Sequence, residues 1–374
     1  MERYKTVTLS EICDLVAGFA FKSKDFGDYD NKVIKITHIT PPSVDMDNLA
    51  GVDLSKYNAA KLEKFIARAG DYVLAMTGAT IGKIGRIEHG EAYINQRVLL
   101  FKPRPIVDKE YLYYVLLQYD FAQYIISHVD SESAQPNIST GTIGKYQIIL
   151  PTIEVQKKIG AVLRAYDEKR EINRKINDNL QQQAFALFEN MFKGLFPSDN
   201  GRVGDHIVPR RGKSLLSKNA IAGDVPVVAG GLEPSTYHNT ANTVPPVITI
   251  SASGANAGFV NLWSIPVWSS DSTFIDATMT DAMYFWFVLL KKRQQEIYDA
   301  QTGSAQPHIY PQHIADLPLG EVAAPKISAY QNMVSPLFAT IGSNKEENAR
   351  LSALRDTLLP RLMSGEIDVS NIDI

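Results

Sequence analysis

Two long stretches of the chain place apolar residues three, four or seven positions apart and fill the gaps with charged and amide residues. The first covers residues 153–192 and contains Gly160 but no proline. Apolar residues at this spacing share one face of an α-helix, so the stretch predicts one amphipathic helix of about 60 Å at ~1.5 Å per residue. A helix of that length exceeds what the core of one domain needs.

The second stretch covers residues 327–363 and has the same spacing, but it contains Pro336, Gly342 and Pro360. It therefore predicts a second and more broken helix. Two long helices with one apolar stripe each are expected to pack on one another. An antiparallel pair would place two globular domains at opposite ends, related by a pseudo two-fold axis.

The remainder of the chain predicts two strand-rich regions, because short apolar or alternating runs are separated by Gly, Pro and Asn. In each region the strands are followed by a helical pattern, at residues 108–129 and at 280 to about 298. The predicted strands are 33–37, 72–76 and 98–101 in the first half and 225–228, 247–250 and 274–275 in the second.

Segments of the first half recur in the second half in the same order, which predicts two similar domains rather than a short-period repeat. Residues 133–138, Ser-Ala-Gln-Pro-Asn-Ile, recur as 304–309 with five of six residues identical, at an offset of 171. Weaker matches pair 111–117 with 284–290, 77–82 with 253–258, and Ala17-Gly18 with Arg211-Gly212. The last match implies roughly fifteen extra residues in the first copy, before Gly78.

Composition and charge limit the possible functions. The 374 residues are 45% hydrophobic and 21% charged, as in a soluble globular protein, with no apolar run long enough to span a membrane. The single cysteine excludes an internal disulfide, and a reducing cytoplasm is expected. The net charge of −3 argues against a strongly basic nucleic-acid binder. A DNA-binding role would need local basic clusters, or partners that supply many phosphate contacts.

The motifs of common catalytic sites are absent from the sequence. The two Pro-Pro pairs follow Thr40 and Val244, where an adenine-N6 methyltransferase would need Asn or Asp. Gly212-Lys213-Ser214 has Ile207 where a phosphate-binding loop needs glycine, and the seven histidines show no metal-ligand spacing. We therefore expect no catalytic residue, no metal ligand and no cofactor on this chain.

Basic residues cluster near the start of each half, where they could contact DNA phosphates or guanine. In the first half they alternate with Asp25, Asp28 and Asp30, and in both halves a solvated surface turn accounts equally well for the composition. The candidates are Lys22, Lys24 and Lys35 in the first half and Arg210, Arg211, Lys213 and Lys218 in the second.

Two further pairs of segments could present hydrogen-bond donors to a base edge or a phosphate. The loops at 77–83 and 253–258 follow predicted strands, and they could equally be tight turns at a sheet corner. Residues 95–97 align with roughly 269–271. The positions correspond in the two halves but the side chains differ, as expected of two domains that read different sequences. By the same logic the nearly identical Ser-Ala-Gln-Pro segments are more typical of a structural or partner contact. The candidates are Thr77, Thr80, Lys83, Gln96, Arg97, Ser253, Asn256, Ser269 and Ser270.

Over its whole length the chain resembles the specificity subunits (S, HsdS) of type I restriction–modification systems. The second half departs from the family pattern, because residues 320–325 lack the proline-then-glutamine approach to the helix and 253–258 is a degenerate form of the first-half loop. The segments that carry the resemblance are Gly-Ala-Thr-Ile-Gly-Lys at 78–83, Ile-Asn-Gln at 94–96, Ser-Ala-Gln-Pro-Asn-Ile-Ser at 133–139, Leu-Pro-Thr-Ile-Glu-Val-Gln-Lys-Lys-Ile at 150–159 and Leu-Leu-Pro-Arg-Leu-Met-Ser-Gly-Glu-Ile at 358–367.

The resemblance implies an α+β architecture of two mixed α/β target-recognition domains, at 1–150 and 196–320. Two long antiparallel coiled-coil helices, within 151–195 and 321–374, would separate them with pseudo two-fold symmetry. Each domain would read one half of a bipartite, asymmetric site in double-stranded DNA, and the helices would set the gap between the halves.

The resemblance also implies partners. Two methyltransferase subunits with S-adenosylmethionine would dock on the helices and flip adenines into their own pockets. Endonuclease subunits with ATP and Mg²⁺ would join that core. Two other classes of function remain open from the sequence: a coiled-coil scaffold whose domains bind protein or glycan, and an enzyme with an unrecognised site.

Overall fold

The structure, a computed structural model, describes residues 4–130, 136–194, 201–303 and 306–369. The chain divides into two compact units: unit 1 is Met1–Lys169 with Leu351–Ile374, and unit 2 is Arg170–Arg350. Each unit contains one globular region and a part of each long helix. The sequence predicts domain boundaries at residues 150, 195 and 320, which separate the globular regions from the long helices. Those boundaries stay a prediction. None of the helices in the described ranges is long and apolar enough to cross a membrane.

Unit 1 contains most of the strands and the start of the first long helix. Its strands are β1 (Tyr4–Thr8), β2 (Cys13–Ala17), β3 (Phe26–Ile34), β4 (Ile39–Thr40), β5 (Ser43–Val44), β6 (Ala50–Val52), β7 (Ile66–Arg68), β8 (Tyr72–Ala75), β9 (Ile84–Arg86), β10 (Glu91–Ile94), β11 (Val98–Pro103) and β12 (Gln147–Pro151). Its helices are α1 (Leu9–Ile12), α2 (Ala59–Leu62), α3 (Lys109–Leu116), α4 (Tyr119–Ser127), α5 (Thr140–Gly144) and the first part of α6 (Ile153–Met191).

Unit 2 repeats this order with fewer elements. Its strands are β13 (Arg210–Arg211), β14 (Val225–Val228), β15 (Thr236–His238), β16 (Val247–Ser251), β17 (Val260–Trp263), β18 (Trp268–Ser269) and β19 (Ser272–Asp276). Its helices are α7 (Met283–Lys292), α8 (Gln294–Asp299), α9 (Pro311–Ala315) and most of α10 (Ala324–Met363), which ends in unit 1.

The two units share a sheet topology. In unit 1 the main sheet has the order β2-β11-β8-β9-β5-β4, and in unit 2 the corresponding sheet is β13-β19-β16-β17. A second sheet pairs β3 in parallel with β10 in unit 1, and β14 in parallel with β18 in unit 2. The expected pair of similar mixed α/β domains is therefore confirmed.

The main sheet of unit 1 is buried on both faces. Successive side chains of a strand point to opposite faces, so Leu74 and Leu99 pack against α3 and α6 while Val73 and Leu100 pack into a second cluster. This explains why the strand sequences are apolar runs rather than apolar–polar alternations.

The structure breaks each predicted domain helix in two, which corrects the expectation of single helices at 108–129 and 280–298. α3 ends at Leu116 and α4 begins at Tyr119, because Gln118 is extended with φ −65° and ψ 149°. α3 is buried on all sides from Tyr111 to Leu116, whereas α4 buries only Phe121 and Ile125. The chain changes direction so that α3 enters the core and α4 lies on its surface. Unit 2 also has a break, between α7 and α8, where Arg293 has φ −97° and ψ 18°.

The first long helix is confirmed, with 39 residues in α6. The expectation of a broken second helix is wrong, because α10 is continuous over 40 residues. Pro336 removes one backbone donor, but burial of Val334 and Phe338 in the core of unit 2 offsets that loss of roughly 3 kcal/mol. Gly342 allows a close approach, since a Cβ at this position would lie 2.9 Å from the Ser264 Cβ.

Within each unit the long helices run antiparallel, as expected. In unit 2 the Asn344 amide donates to Asn177 at 2.8 Å and the Asn173 amide donates to Asn348 at 2.9 Å, so positions rise along α6 as they fall along α10. In unit 1 Arg355 forms a salt bridge with Asp167 at 2.6 Å. Polar contacts of this kind within a helix pair fix its register.

Candidate nucleic-acid interface

The candidate segments of unit 1 meet at one end of its main sheet. β11 is antiparallel to both neighbours, so the start of β11 lies beside the ends of β2 and β8, with Leu99 opposite Ala17 and Val98 opposite Ala75. The residues that follow β2, follow β8 and precede β11 are therefore brought together. Asn137 joins them through a β-bridge to Thr77. We call this surface the sheet-end site of unit 1.

Unit 2 forms the same site from the ends of β13 and β16 and the start of β19. Gly212 N donates to Ser272 O at 2.8 Å, as Gly18 N donates to Val98 O at 2.9 Å. Both glycines pack against backbone: a Cβ on either would lie within 2.6 Å of a carbonyl oxygen. The match of Ala17-Gly18 with Arg211-Gly212 is confirmed by this shared geometry.

The loops at 77–83 and 253–259 have the same backbone structure. Gly78 and Gly254 have positive φ, of 73° and 81°, a conformation that favours glycine. Their N–H groups donate to Pro136 O and Pro307 O, each at 3.1 Å. The Ser-Ala-Gln-Pro segments therefore support these loops through the proline carbonyls. Within those segments, residues 133–135 and 304–305 lie outside the described residues.

A short 3-10 turn follows each sheet-end glycine at the same distance. The turns are Ser23–Asp25 and Ser217–Asn219, closed by Asp25 N to Lys22 O at 2.9 Å and Asn219 N to Leu216 O at 2.8 Å. Lys24 is therefore the counterpart of Lys218, and Lys22 is the counterpart of Leu216. Lys24 and Lys218 are both exposed.

Side chains from the rest of each unit hold these turns in place. In unit 2 the Trp268 indole donates to Lys213 O at 2.8 Å, and Leu215 N donates to the Ser270 hydroxyl at 2.9 Å. In unit 1 the Tyr57 hydroxyl donates to the buried Asp25 at 2.5 Å and lowers the pKa of that carboxyl. Lys24, Lys213 and Lys218 thus project from backbone segments that these hydrogen bonds hold in place.

The candidate side chains differ in accessibility. Lys35 is partly buried, with its ammonium 3.9 Å from the centre of the Phe26 ring. Thr80, Ser253 and Asn256 are also partly buried. The exposed candidates are Lys22, Lys24, Lys83, Gln96, Arg97, Arg210, Arg211, Lys213 and Lys218.

Three candidates are buried, and their hydroxyls stabilise the backbone of the site through hydrogen bonds instead of facing a ligand. Thr77 is 7% exposed and donates its hydroxyl to Pro136 O at 2.8 Å. Ser269 is 0% exposed and Ser270 4% exposed; their hydroxyls bond to Ser272 and to the Leu215 backbone. Burial argues against direct base contact by any of the three.

The turn that precedes β19 in unit 2 is one residue shorter than the turn that precedes β11 in unit 1. Phe19 N donates to Ile94 O and Lys213 N to Ser269 O, each at 2.9 Å, so Ser269 corresponds to Ile94. The expected alignment of 95–97 with 269–271 therefore holds only at its last position, where Arg97 corresponds to Asp271.

Sequence reasoning overlooked Asn137 and His308 as site residues. They form equivalent bridges, to Thr77 in unit 1 and Ser253 in unit 2. Their signal is present in the repeat itself, because this position is the one mismatch between 133–138 and 304–309.

The exposed groups of both sites are mainly cations and neutral hydrogen-bond donors. Such groups fit phosphate oxygens and the acceptor-rich edges of bases. Within the described ranges, no three His, Cys, Asp or Glu side chains come together as they would around a metal ion.

Comparisons with known proteins agree with this geometry. Residues 1–182 match the family described as type I restriction modification DNA specificity domain. The MjaIX type I restriction enzyme specificity subunit of Methanocaldococcus jannaschii is 25% identical over 340 residues, covering 80% of this chain and 78% of the relative. The MjaVIII specificity subunit of the same organism is 29% identical over 200 residues, covering 52% and 46%.

The fold agrees as well. The crystal structure of a type I restriction-modification system S subunit from M. genitalium superposes with a TM-score of 0.59 at 18% identity, covering 98% of this chain and 97% of that one. The first 182 residues thus match the type I restriction modification DNA specificity domain, and over most of its length the chain is similar to specificity subunits of type I restriction enzymes.

Proposed function

We propose that this chain reads a bipartite, asymmetric DNA site, with the sheet-end site of each unit contacting one half. Sequence-specific DNA recognition is the role of the family, and the division of that role between the units is our proposal. The observation that supports it is that one chain carries two sheet-end sites with the same backbone frame and different exposed side chains. The same backbone structure places side chains equivalently in both units, and different side chains would recognise different base sequences.

The net charge of −3 is compatible with this role because the basic groups are local. Lys24 and Lys83 project from the sheet-end site of unit 1, and Lys213 and Lys218 from that of unit 2. Partner subunits that close around the duplex would supply further phosphate contacts.

The long helices are proposed to set the gap between the half-sites and to dock two methyltransferase subunits. In unit 2, α6 exposes Ile172 and Ile176, which are 52% and 42% accessible. With Leu180 they line a shallow apolar groove. Exposed apolar side chains on a helix are typical of protein-binding surfaces.

The chemistry is assigned to the partners. We propose that S-adenosylmethionine binds to the methyltransferase subunits, and ATP with Mg²⁺ to endonuclease subunits that join the complex in the cytoplasm. This chain would then contribute recognition and assembly without a cofactor or a catalytic residue of its own.

Domain exchange tests the proposal. Residues 203–320 are replaced by those of a related specificity subunit, and N6-methyladenine motifs are mapped by genome-wide methylation sequencing. One half of the motif is expected to change while the other half and the gap stay the same. The reciprocal exchange of residues 1–150 should change the other half.

The control is a strain that lacks this gene, in which the wild-type motif must disappear. A motif that survives deletion of the gene contradicts a recognition role. A chimera that changes both halves, or neither, contradicts the assignment of one half-site to each unit.

A further inference from the structure

Arg97 and Asp271 occupy the same backbone position in the two units and carry opposite charges. The Arg97 carbonyl accepts from Met76 N at 2.9 Å, and the Asp271 carbonyl accepts from Ala252 N at 3.2 Å. Each residue directly precedes the central strand of its sheet-end site, β11 or β19. The two backbones are equivalent, so the difference lies in the side chains.

The Arg97 side chain is exposed and held at one nitrogen. Its Nη1 donates to the Asn137 Oδ1 at 3.3 Å. No salt bridge to Arg97 is found within the part of the chain that the structure describes. Asn137 is itself bridged to Thr77, so the guanidinium is oriented from the rigid frame of the site. The remaining N–H groups form a planar set of donors at the surface.

Asp271 presents a different arrangement. Its carboxylate accepts from the Ser253 hydroxyl and forms a salt bridge with Arg211 at 2.5 Å. The salt bridge neutralises Arg211, which lies at the end of β13 and directly precedes Gly212. At this point of its site, unit 2 presents acceptors and a paired charge instead of open donors.

Guanine is the base that fits an open arginine. Its N7 and O6 atoms are adjacent acceptors in the major groove, and the guanidinium donates to both, whereas a carboxylate has no donor for either. We infer that Arg97 reads a guanine in the half-site bound by unit 1, and that unit 2 has no guanine reader at the equivalent position. The inference rests on the proposed function, since it requires the sheet-end site to face the bases.

Base analogues test this inference on the wild-type complex. The full chain is purified with its methyltransferase subunits and titrated with duplexes that carry its motif. The half-site of unit 1 is the half that stays constant when 203–320 is exchanged. In that half, 7-deazaguanine replaces each guanine in turn on either strand, which removes N7 alone. One replacement is expected to weaken binding about 10-fold, within the discrimination of a bidentate arginine contact.

Arg97→Gln should abolish the sensitivity to that one replacement. Arg104→Gln is the matched control, because Arg104 is an exposed arginine directly after β11, at the opposite end of the same strand. The control complex should keep the wild-type response. Arg97→Lys keeps the charge but not the planar fork of donors, and it should weaken the response without abolishing it.

Three results would overturn the inference while leaving bipartite reading intact. The first is a unit 1 half-site without a G·C pair. The second is a wild-type complex that is indifferent to 7-deazaguanine at every position of that half. The third is an Arg97→Gln complex that binds more weakly but keeps the wild-type response, which would make Arg97 a phosphate contact. Failure of the proposed function would appear earlier, as a wild-type complex without a bipartite motif, and would overturn both.

Discussion

At the scale of single residues, the two sheet-end sites combine positions that are shared with positions that diverge. Lys24 and Lys218 are shared, since each lies at the centre of a 3-10 turn of sequence Ser-Lys-Asp or Ser-Lys-Asn. Arg97 and Asp271 diverge. A charge retained in both units is suited to the DNA backbone, which is the same in any sequence.

Replacing Lys24 or Lys218 by glutamine is therefore expected to weaken DNA binding without changing the motif. Each loss of one phosphate contact should reduce the slope of log K against log salt by about 0.9, and the double variant by about twice that. Fluorescence titration of the complex at several salt concentrations measures the slope.

Lys5→Gln is the control, because Lys5 is an exposed lysine on β1, away from the sheet-end site. It should leave the slope unchanged. A change of methylation motif in the Lys24→Gln or Lys218→Gln complex would instead identify these lysines as base contacts.

The sequence located the right segments of the sites but not which of their residues are accessible. Segments 77–83 and 253–258 were identifiable because their glycines and small residues recur. The burial of Ser269 and Ser270 was not, because it depends on the turn of unit 2 being one residue shorter. A single deletion between strands moves a polar residue from surface to interior, and local composition carries no sign of it.

At the scale of elements, a glutamine links each long helix to the globular region of its unit; Gln156 is buried and Gln331 is partly buried. The Gln156 side chain accepts from Asp108 N at 2.8 Å at the start of α3 and donates to Pro151 O at 2.8 Å. Gln331 accepts from Tyr284 N at 2.9 Å at the start of α7, where the cap residue Ala282 has no acceptor in its side chain. Residues 320–325 lack the proline-then-glutamine sequence that precedes and opens α6, and Gln331 makes the equivalent bond from further inside α10.

Gln156→Met is expected to destabilise unit 1 by about 1–3 kcal/mol, because it leaves Asp108 N and Pro151 O without the partners that Gln156 provides in the interior. Urea denaturation measures the loss, and amide hydrogen exchange should be faster at Asp108. Lys157→Met, on the exposed neighbouring position, is the control and should change stability by less than about 0.5 kcal/mol. Equal effects of the two variants would contradict a capping role for Gln156.

Helix periodicity predicted the long helices well because one apolar stripe recurs over many turns. It failed where tertiary packing dominates. Pro336 and Gly342 are breakers by propensity, but α10 is continuous through both because it packs on the core of unit 2. Gln118 interrupts the helices of unit 1 although it carries no breaker signal.

At the scale of the whole molecule, unit 1 is assembled from two separate parts of the chain. Leu359, Leu362 and Met363 at the end of α10 are buried in the same core cluster as Tyr111 and Ile159. The predicted antiparallel helix pair implied that the second helix runs back towards the first domain, but the burial of its last residues in the core of unit 1 was not predicted. Contacts between segments so distant in sequence leave no local pattern.

Leu362→Ala is expected to destabilise unit 1 by about 2–5 kcal/mol, the usual cost of truncating a buried leucine. Hydrogen exchange should then accelerate in α3 and β11, while β16 and β19 in unit 2 keep their protection. Leu354→Ala serves as the control, because Leu354 is 50% exposed on the same helix. Loss of protection in unit 2 alone would contradict the assignment of this segment to unit 1.

The two-part composition of unit 1 also bears on how the chain is made. Protein synthesis proceeds from the N-terminus, so residues 1–169 leave the ribosome before any of unit 2, and the segment that completes their core follows only after residue 350. At about 5–20 residues per second, that wait is roughly 10–40 s. Unit 2 is contiguous and can close as soon as it emerges. The half of the protein that is translated first is thus the half whose core is completed last.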